Sequence, residues 1–551
     1  MFVHTRRALL AALIATTLAG CGKDDAATDP LAFVPADTPY VFANRTPTSK
    51  AVIDSWLNMY GISVEQMYTD MASDPEMQKI EGEFGEWVRA ALPEIGKLAS
   101  VGGMEQIGMK AEGRFAIYGY GLLPVYRMEL VDAAKFGEAV KRVEGRAGKQ
   151  LATRKVGEHT LWQFANDKAT VVFGPVGNFL VATVLPAKAD EARVNAQLGL
   201  TLPEASLASG NALADLDQKN GYDGHFTGYL DIRGLAQRLS GRNQDDNQVI
   251  AAFGGEVPKL SDACASELDS MTQKFPRLVF GTTQFDAKQM NVNSMLEVEP
   301  ELAKSLQKIA APIPGAAVGD EMMLRVAMSI DLPETVRFLN GVADAIAAKP
   351  YQCEELQDIN QSATELKQNL ANPGLAMAGS LTALHFGLKD ISIDPASEMP
   401  TALSAFVTLG SPSPMMLWGF AQQGVPALAQ LTISTDGKIV ALPADAIPAP
   451  IPLEFKALMT PKSLGVATKD IDDASFSAAA AVPDAADGTV LRYGFSGKFF
   501  TLLADSMPAP GPEMERGREL IRSMGKSVKA MDVRMQLTAR GIEFVQTNSL
   551  N

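Results

Sequence analysis

The chain has 551 residues, 46% of them hydrophobic and 21% charged. That balance suits packed globular domains and excludes a collagen-like, coiled-coil or wholly disordered chain. A formal net charge of −15 repels phosphate backbones and anionic head groups, which argues against a nucleic-acid binder. At about 150 residues per domain the length predicts two to four domains.

Residues 1–20 read as an export signal. Arg6 and Arg7 form a basic start, Ala8–Leu18 an apolar run, and Ala19 and Gly20 are small. The run is shorter than the roughly 20 apolar residues a membrane-crossing helix needs. Leu18-Ala19-Gly20-Cys21 resembles the lipobox of bacterial lipoproteins. The resemblance implies cleavage between Gly20 and Cys21, a diacylglyceryl thioether on Cys21 and acylation of the new amine. Several acyl chains give stable anchoring where one does not. Gly22 stands where Asp would favour the inner membrane in enteric bacteria, so the resemblance implies an outer-membrane lipoprotein facing the periplasm. Residues 21–29 then read as a polar tether.

The body repeats one order of elements, β-α-α-β-β. Tyr40–Ala43 is a strand, followed by helical stretches around Val52–Tyr60 and Phe84–Leu92 and by strands at Arg114–Tyr120 and Val125–Leu130. A helix is expected at Asp132–Gly145. Strands follow at Ala152–Val156, Thr160–Phe164, Thr170–Phe173 and Phe179–Val184. His225–Asp231, a helix around Cys264–Thr272 and a hairpin of Leu278–Phe285 with Met290–Leu296 close the first half. Asn243–Gln248 reads as a solvated loop. In the second half Met323–Ile330 is a strand, Pro333–Ala348 an amphipathic helix, Glu354 opens a polar helix, and Leu381–Leu388 is a strand. Met415–Gln422 is a helix, and Asp436-Gly437 predicts a hairpin joining Leu431–Ser434 to Lys438–Leu442. Ser463–Thr468 and Val490–Phe495 are strands, Met514–Met524 a helix, and Val533–Leu537 with Ile542–Gln546 a closing hairpin. The expectation is an α+β chain of two homologous halves, 30–311 and 316–551. Each is a mixed, largely antiparallel sheet with packed helices, and residues 312–315 form a Pro-rich linker.

Few residues suggest chemistry. Cys264 and Cys353 are an even pair in an exported chain and predict a disulfide. Downstream of Cys21 the histidines are His159, His225 and His385, with neither HExxH nor a Cys/His cluster around them. Gly494-Phe495-Ser496-Gly497-Lys498 lacks the last glycine of a nucleophile elbow. Asp215–Asn220 starts like an EF-hand loop but has Lys219 at a ligand position and Asn220 where glycine is needed. No catalytic residue, metal ligand or cofactor beyond the lipid on Cys21 is therefore expected. Tyr118, Tyr120, Leu122, Leu123 and Tyr126 form a candidate apolar binding patch. Pro30–Asn44 resembles the start of uncharacterised proteobacterial envelope lipoproteins. The combined expectation is a non-enzymatic, lipid-anchored envelope protein binding a protein partner or an apolar ligand. An envelope hydrolase with carboxylates assembled in three dimensions, and a structural spacer, are the alternatives.

Overall fold

The computed structural model describes residues 28–551 apart from 61–63, 74–76, 78–81, 166, 317–321, 373, 376–378, 395–399, 449–452 and 508–510. Gly20 and Cys21, with the whole signal segment, lie outside the described residues. Helices and antiparallel strands both contribute heavily, so the fold is α+β. The chain divides into two compact units. One comprises the described residues within 1–58, 63–260 and 279–287; the other comprises those within 59–62, 261–278 and 288–551.

In the first unit the strands are β1 (Tyr40–Ala43), β2 (Phe115–Tyr120), β3 (Leu123–Glu129), β4 (Ala152–Val156), β5 (His159–Ala165), β6 (Ala169–Val176), β7 (Phe179–Pro186) and β8 (Thr227–Asp231). They pair antiparallel in the order β8-β1-β2-β3-β7-β6-β5-β4. The helix Ala133–Ala147 starts where the Asp132 carboxylate accepts from the Ala134 and Lys135 amides, and it ends at Gly148 with φ 68°. Its Val140 packs with Trp87 of the helix Gly82–Gly96 over Trp162, Phe164 and Phe173 of the sheet. Glu94 joins the two helices, accepting from Arg142 at 3.0 and 2.7 Å and from Arg146 at 2.9 Å, with Lys97 at 3.2 Å. Arg142 and Arg146 are four residues apart, so one helical face presents both.

After β9 (Arg277–Phe285), the second unit carries β10 (Gln289–Glu297), β11 (Leu324–Ser329), β12 (Ala383–Ile393), β13 (Pro400–Gly410), β14 (Val440–Ala441), β15 (Phe455–Thr460), β16 (Ser463–Thr468), β17 (Thr489–Ser496), β18 (Val528–Thr538) and β19 (Gly541–Leu550). Their antiparallel order is β10-β19-β18-β17-β11-β12-β13-β16-β15-β14. The run β8-β1-β2-β3-β7-β6 of the first unit and β17-β11-β12-β13-β16-β15 of the second follow the same sequence of connections.

Three local expectations are corrected. Asn243–Gln248 is not a loop: Asn243 accepts from the Asp246 amide and caps the helix Gln244–Ala252, whose first turn is this polar run. Leu431–Ser434 is not a strand. The Asp436 carboxylate accepts from Ser434 Oγ and the Lys438 amide, closing a turn, and β14 pairs with β15 instead. Residues 312–315 are packed within the second unit, because Ala311 and Ile313 are buried and the Gly315 amide donates to the Ala481 carbonyl.

Burial pushes the Glu94 pKa up, but the hydrogen bonds from Arg142, Arg146 and Lys97 outweigh it and hold it at about 2. A depressed acid stabilises fully above its unfolded value of about 4.5 and loses that contribution as pH falls through the folded value. Glu94→Gln is expected to cost on the order of 2 kcal/mol at pH 7 and much less at pH 2. Urea unfolding at the two pH values checks this; an equal cost at both contradicts it.

Candidate functional site

A groove of about 530 Å³ lies in the second unit among three helices, α1 (Asp262–Lys274), α2 (Pro300–Gln307) and α3 (Leu332–Ala348). Each helix start is encoded locally. Ser261 accepts from the Cys264 amide, Glu299 from the Glu301 and Leu302 amides, and Asp331 from the Glu334 amide. Pro300 and Pro333 sit in the first turn of their helices, where a missing amide costs nothing. Along α3, Phe338, Val342 and Ile346 recur every four residues and so share one face, which lines the groove with Ala345 and with Leu302 of α2.

The rim is charged. Lys274, Lys308, Arg337 and Lys349 line it, with Glu267 and Glu334 as the acids. Both acids are engaged: Glu334 pairs with Arg337, and Glu267 accepts from the Gln352 and Cys353 amides at 2.8 and 3.0 Å. Among the described residues, Lys274, Lys308 and Lys349 have no carboxylate partner. All three lie at helix C-termini, where the backbone carries about −0.5 of an elementary charge, so each full ammonium leaves the rim positive. An apolar floor of this volume with a few polar groups at its edge is the usual form of a small-molecule site. A larger hollow of about 630 Å³ in the same unit has Lys389, Lys498 and Lys529 beside Asp390 and Asp470 but lacks an apolar floor.

The Cys264–Cys353 disulfide forms, with Cα atoms 4.6 Å apart across a separation of 89 residues. It fixes α1 to the segment that carries Tyr351 at the end of the groove, next to the Glu267 bonds. Both cysteines belong to the second unit.

The expected patch at Tyr118, Tyr120, Leu122, Leu123 and Tyr126 is not one surface. Alternation along β3 turns Leu123 and Val125 inward beside Tyr118, whose partner across the ladder is Val125, and all three are buried. Tyr126 faces the other way, packing with Met128 near Ile107 and Leu180, and burial pushes its pKa up to about 12. Tyr120 ends β2 and Leu122 lies in the turn, and both are partly exposed. Of the histidines, His225 Nδ1 lies 3.1 Å from Thr48 Oγ1, and His385 is 1% exposed. Asp215–Asn220 is not a calcium loop but part of the helix Ala212–Asn220, within which Asp217 pairs with Arg45 and accepts from Thr227 at 2.6 Å.

The groove was not found from the sequence. Its one signal was a lysine at the end of each of three helices, a common pattern until folding brings the ends together. Comparison with protein-family models, curated proteins and solved structures gives no match.

Loss of the disulfide in a Cys264→Ala/Cys353→Ala chain is expected to lower stability by about 4 kcal/mol, since the bridge closes a loop of about 90 residues. Denaturant unfolding of both chains measures this, and an unchanged midpoint contradicts it.

Proposed function

We propose that this protein is a lipoprotein anchored through Cys21 at the bacterial outer membrane, facing the periplasm. There it binds an apolar molecule with an anionic head, without catalysing a reaction. The groove carries the ligand half of this reading. Its Phe338-Val342-Ile346 stripe suits an acyl or similar chain, and Lys274, Lys308 and Lys349 suit a carboxylate or phosphate head. The anchor half rests on Leu18-Ala19-Gly20-Cys21. The displaced carboxylates Glu94, Glu129 and Asp532 are all moved downward, a direction that suits ion pairing and is opposite to that of a general acid.

We also infer that the two units descend from one ancestral β-α-α-β-β domain. Support comes from the matching strand orders β8-β1-β2-β3-β7-β6 and β17-β11-β12-β13-β16-β15. The inference fails if those six strands do not superpose along one chain trace.

One preparation tests both halves of the functional reading. The full chain and Cys21→Ser, expressed with the signal intact, are fractionated, and each product is weighed by native mass spectrometry. The full chain is expected in membranes with an acyl mass on Cys21, the Cys21→Ser chain outside them, and both with one anionic amphiphile bound. Unchanged partition of the variant overturns the anchor. Absence of any bound small molecule from both chains, together with no uptake of added fatty acid, overturns the ligand.

A further inference from the structure

A second, smaller cavity in the same unit has a different chemistry. It measures about 160 Å³ and is lined by Arg325, His385, Asp487, Thr489, Arg492 and Arg534, with the backbone of Ile313–Ala316 on one side. Strand register builds it. Ala327 of β11 pairs with His385 of β12 on one side and Arg492 of β17 on the other, and Arg492 pairs with Arg534 of β18. His385, Ala327, Arg492 and Arg534 thus form one row across four strands. Ala327 is the small member, and it leaves space between the imidazole and the guanidinium groups.

The next row holds Arg325 and, opposite Gly494, Asp532. The Asp532 carboxylate accepts from Arg325 at 2.7 Å and from Arg492 and Arg534 at 2.9 Å each. Three guanidinium groups therefore converge from three strands, and all three arginines line the cavity. Arg492 also donates to the Ala316 carbonyl at 3.2 Å.

His385 is the second, independent observation. It is 1% exposed, and among the described residues neither ring nitrogen has a partner at full hydrogen-bond geometry, the Pro314 carbonyl being the backbone group that acts on the ring. Burial first, and then the charge of Arg325, hold its pKa down at about 4; the Pro314 carbonyl pulls it up, and the charge of Arg492 adds a lesser downward push. At neutral pH it is an uncharged ring with one N–H to donate. Gly315 is required beside it: at φ +69° a Cβ would lie 2.5 Å from His385 Nδ1. Buried polar groups in folded proteins normally have partners, so an unpartnered imidazole lining a cavity edged by arginines calls for an acceptor within that cavity.

We propose that this cavity binds a small oxyanion through the N–H groups of Arg492 and Arg534 and the imidazole of His385. The size agrees: 160 Å³ is room for about five waters, and phosphate has five heavy atoms. Arginine is suited to phosphate and carboxylate because its planar fork donates two parallel hydrogen bonds. The site is separate from the groove and does not depend on the ligand proposed there.

The full chain has only four histidines, His4, His159, His225 and His385, so ring resonances of a histidine-labelled sample can be assigned by elimination with His4→Gln, His159→Gln and His225→Gln. Inorganic phosphate is titrated at constant ionic strength, with chloride as the balancing ion. The expected result is a saturable shift of the His385 ring alone, weakened roughly tenfold or more by Arg534→Gln. Arg534 is the most exposed of the three arginines, and thermal unfolding confirms that the variant is folded. A parallel titration uses glycerol 3-phosphate. Binding of phosphate alone places a free ion in the cavity, and binding of both places a phosphate monoester within reach. No shift with either, or a shift of equal strength in Arg534→Gln, overturns the proposal.

Discussion

β1 of the first unit and β11 of the second lie inside their sheets rather than at an edge. β1 is held between β2 and β8, and β11 between β12 and β17. Tyr40–Ala43 therefore completes its pairing only when Thr227–Asp231 arrives, and Leu324–Ser329 only when Thr489–Ser496 does. Everything between those partners has to fold into helices and antiparallel strands that return the chain to the same place. Such long-range closure is costly in chain entropy, and it leaves the central strands with two paired edges.

Central strands have to handle any polar side chain carried on their buried face. Arg127 on β3 is 0% exposed, and its charge is held 3.9 Å from the centre of the Phe33 ring, near Phe179 and the Leu198 carbonyl. Arg325 on β11 is 4% exposed and is held by Asp532. Aromatic faces serve one unit and a carboxylate the other. Removing Asp532 would leave guanidinium groups buried together, which costs far more than the pair itself contributes. Both functional proposals lie in the unit with the ionic arrangement. The groove uses cations at helix ends and the small cavity uses cations on strands.

Local signals carried much of the fold. Period-two runs located β2, β3, β6 and β7, and the 3.6-residue stripe of Phe338, Val342 and Ile346 located α3. The even pair Cys264 and Cys353 indicated its own bond. The polar run at 243–248 was misread because a helix's exposed first turn and a loop share a composition, and only the Asn243 cap separates them. β13 and β15 gave no clear sequence signal, although each pairs with a neighbour in sequence, β12 and β16, across a short connection. The patch around Tyr118 failed for a geometric reason, since neighbours in sequence on a strand point to opposite faces. His385 and Arg492 are 107 positions apart, and only strand register makes them neighbours across Ala327. The groove needed three helix ends to meet, which no local pattern encodes.

The central claim, that the groove among α1, α2 and α3 holds an anionic amphiphile, is tested most directly by where a bound ligand reacts. A long-chain fatty acid with a photoreactive group on its chain is equilibrated with the full-length protein, irradiated, and the labelled peptides mapped. Labelling concentrated on residues 338–346 and 302–305, and lost in Val342→Glu, is the predicted result. Labelling spread over the surface, or unchanged in Val342→Glu, would contradict the account.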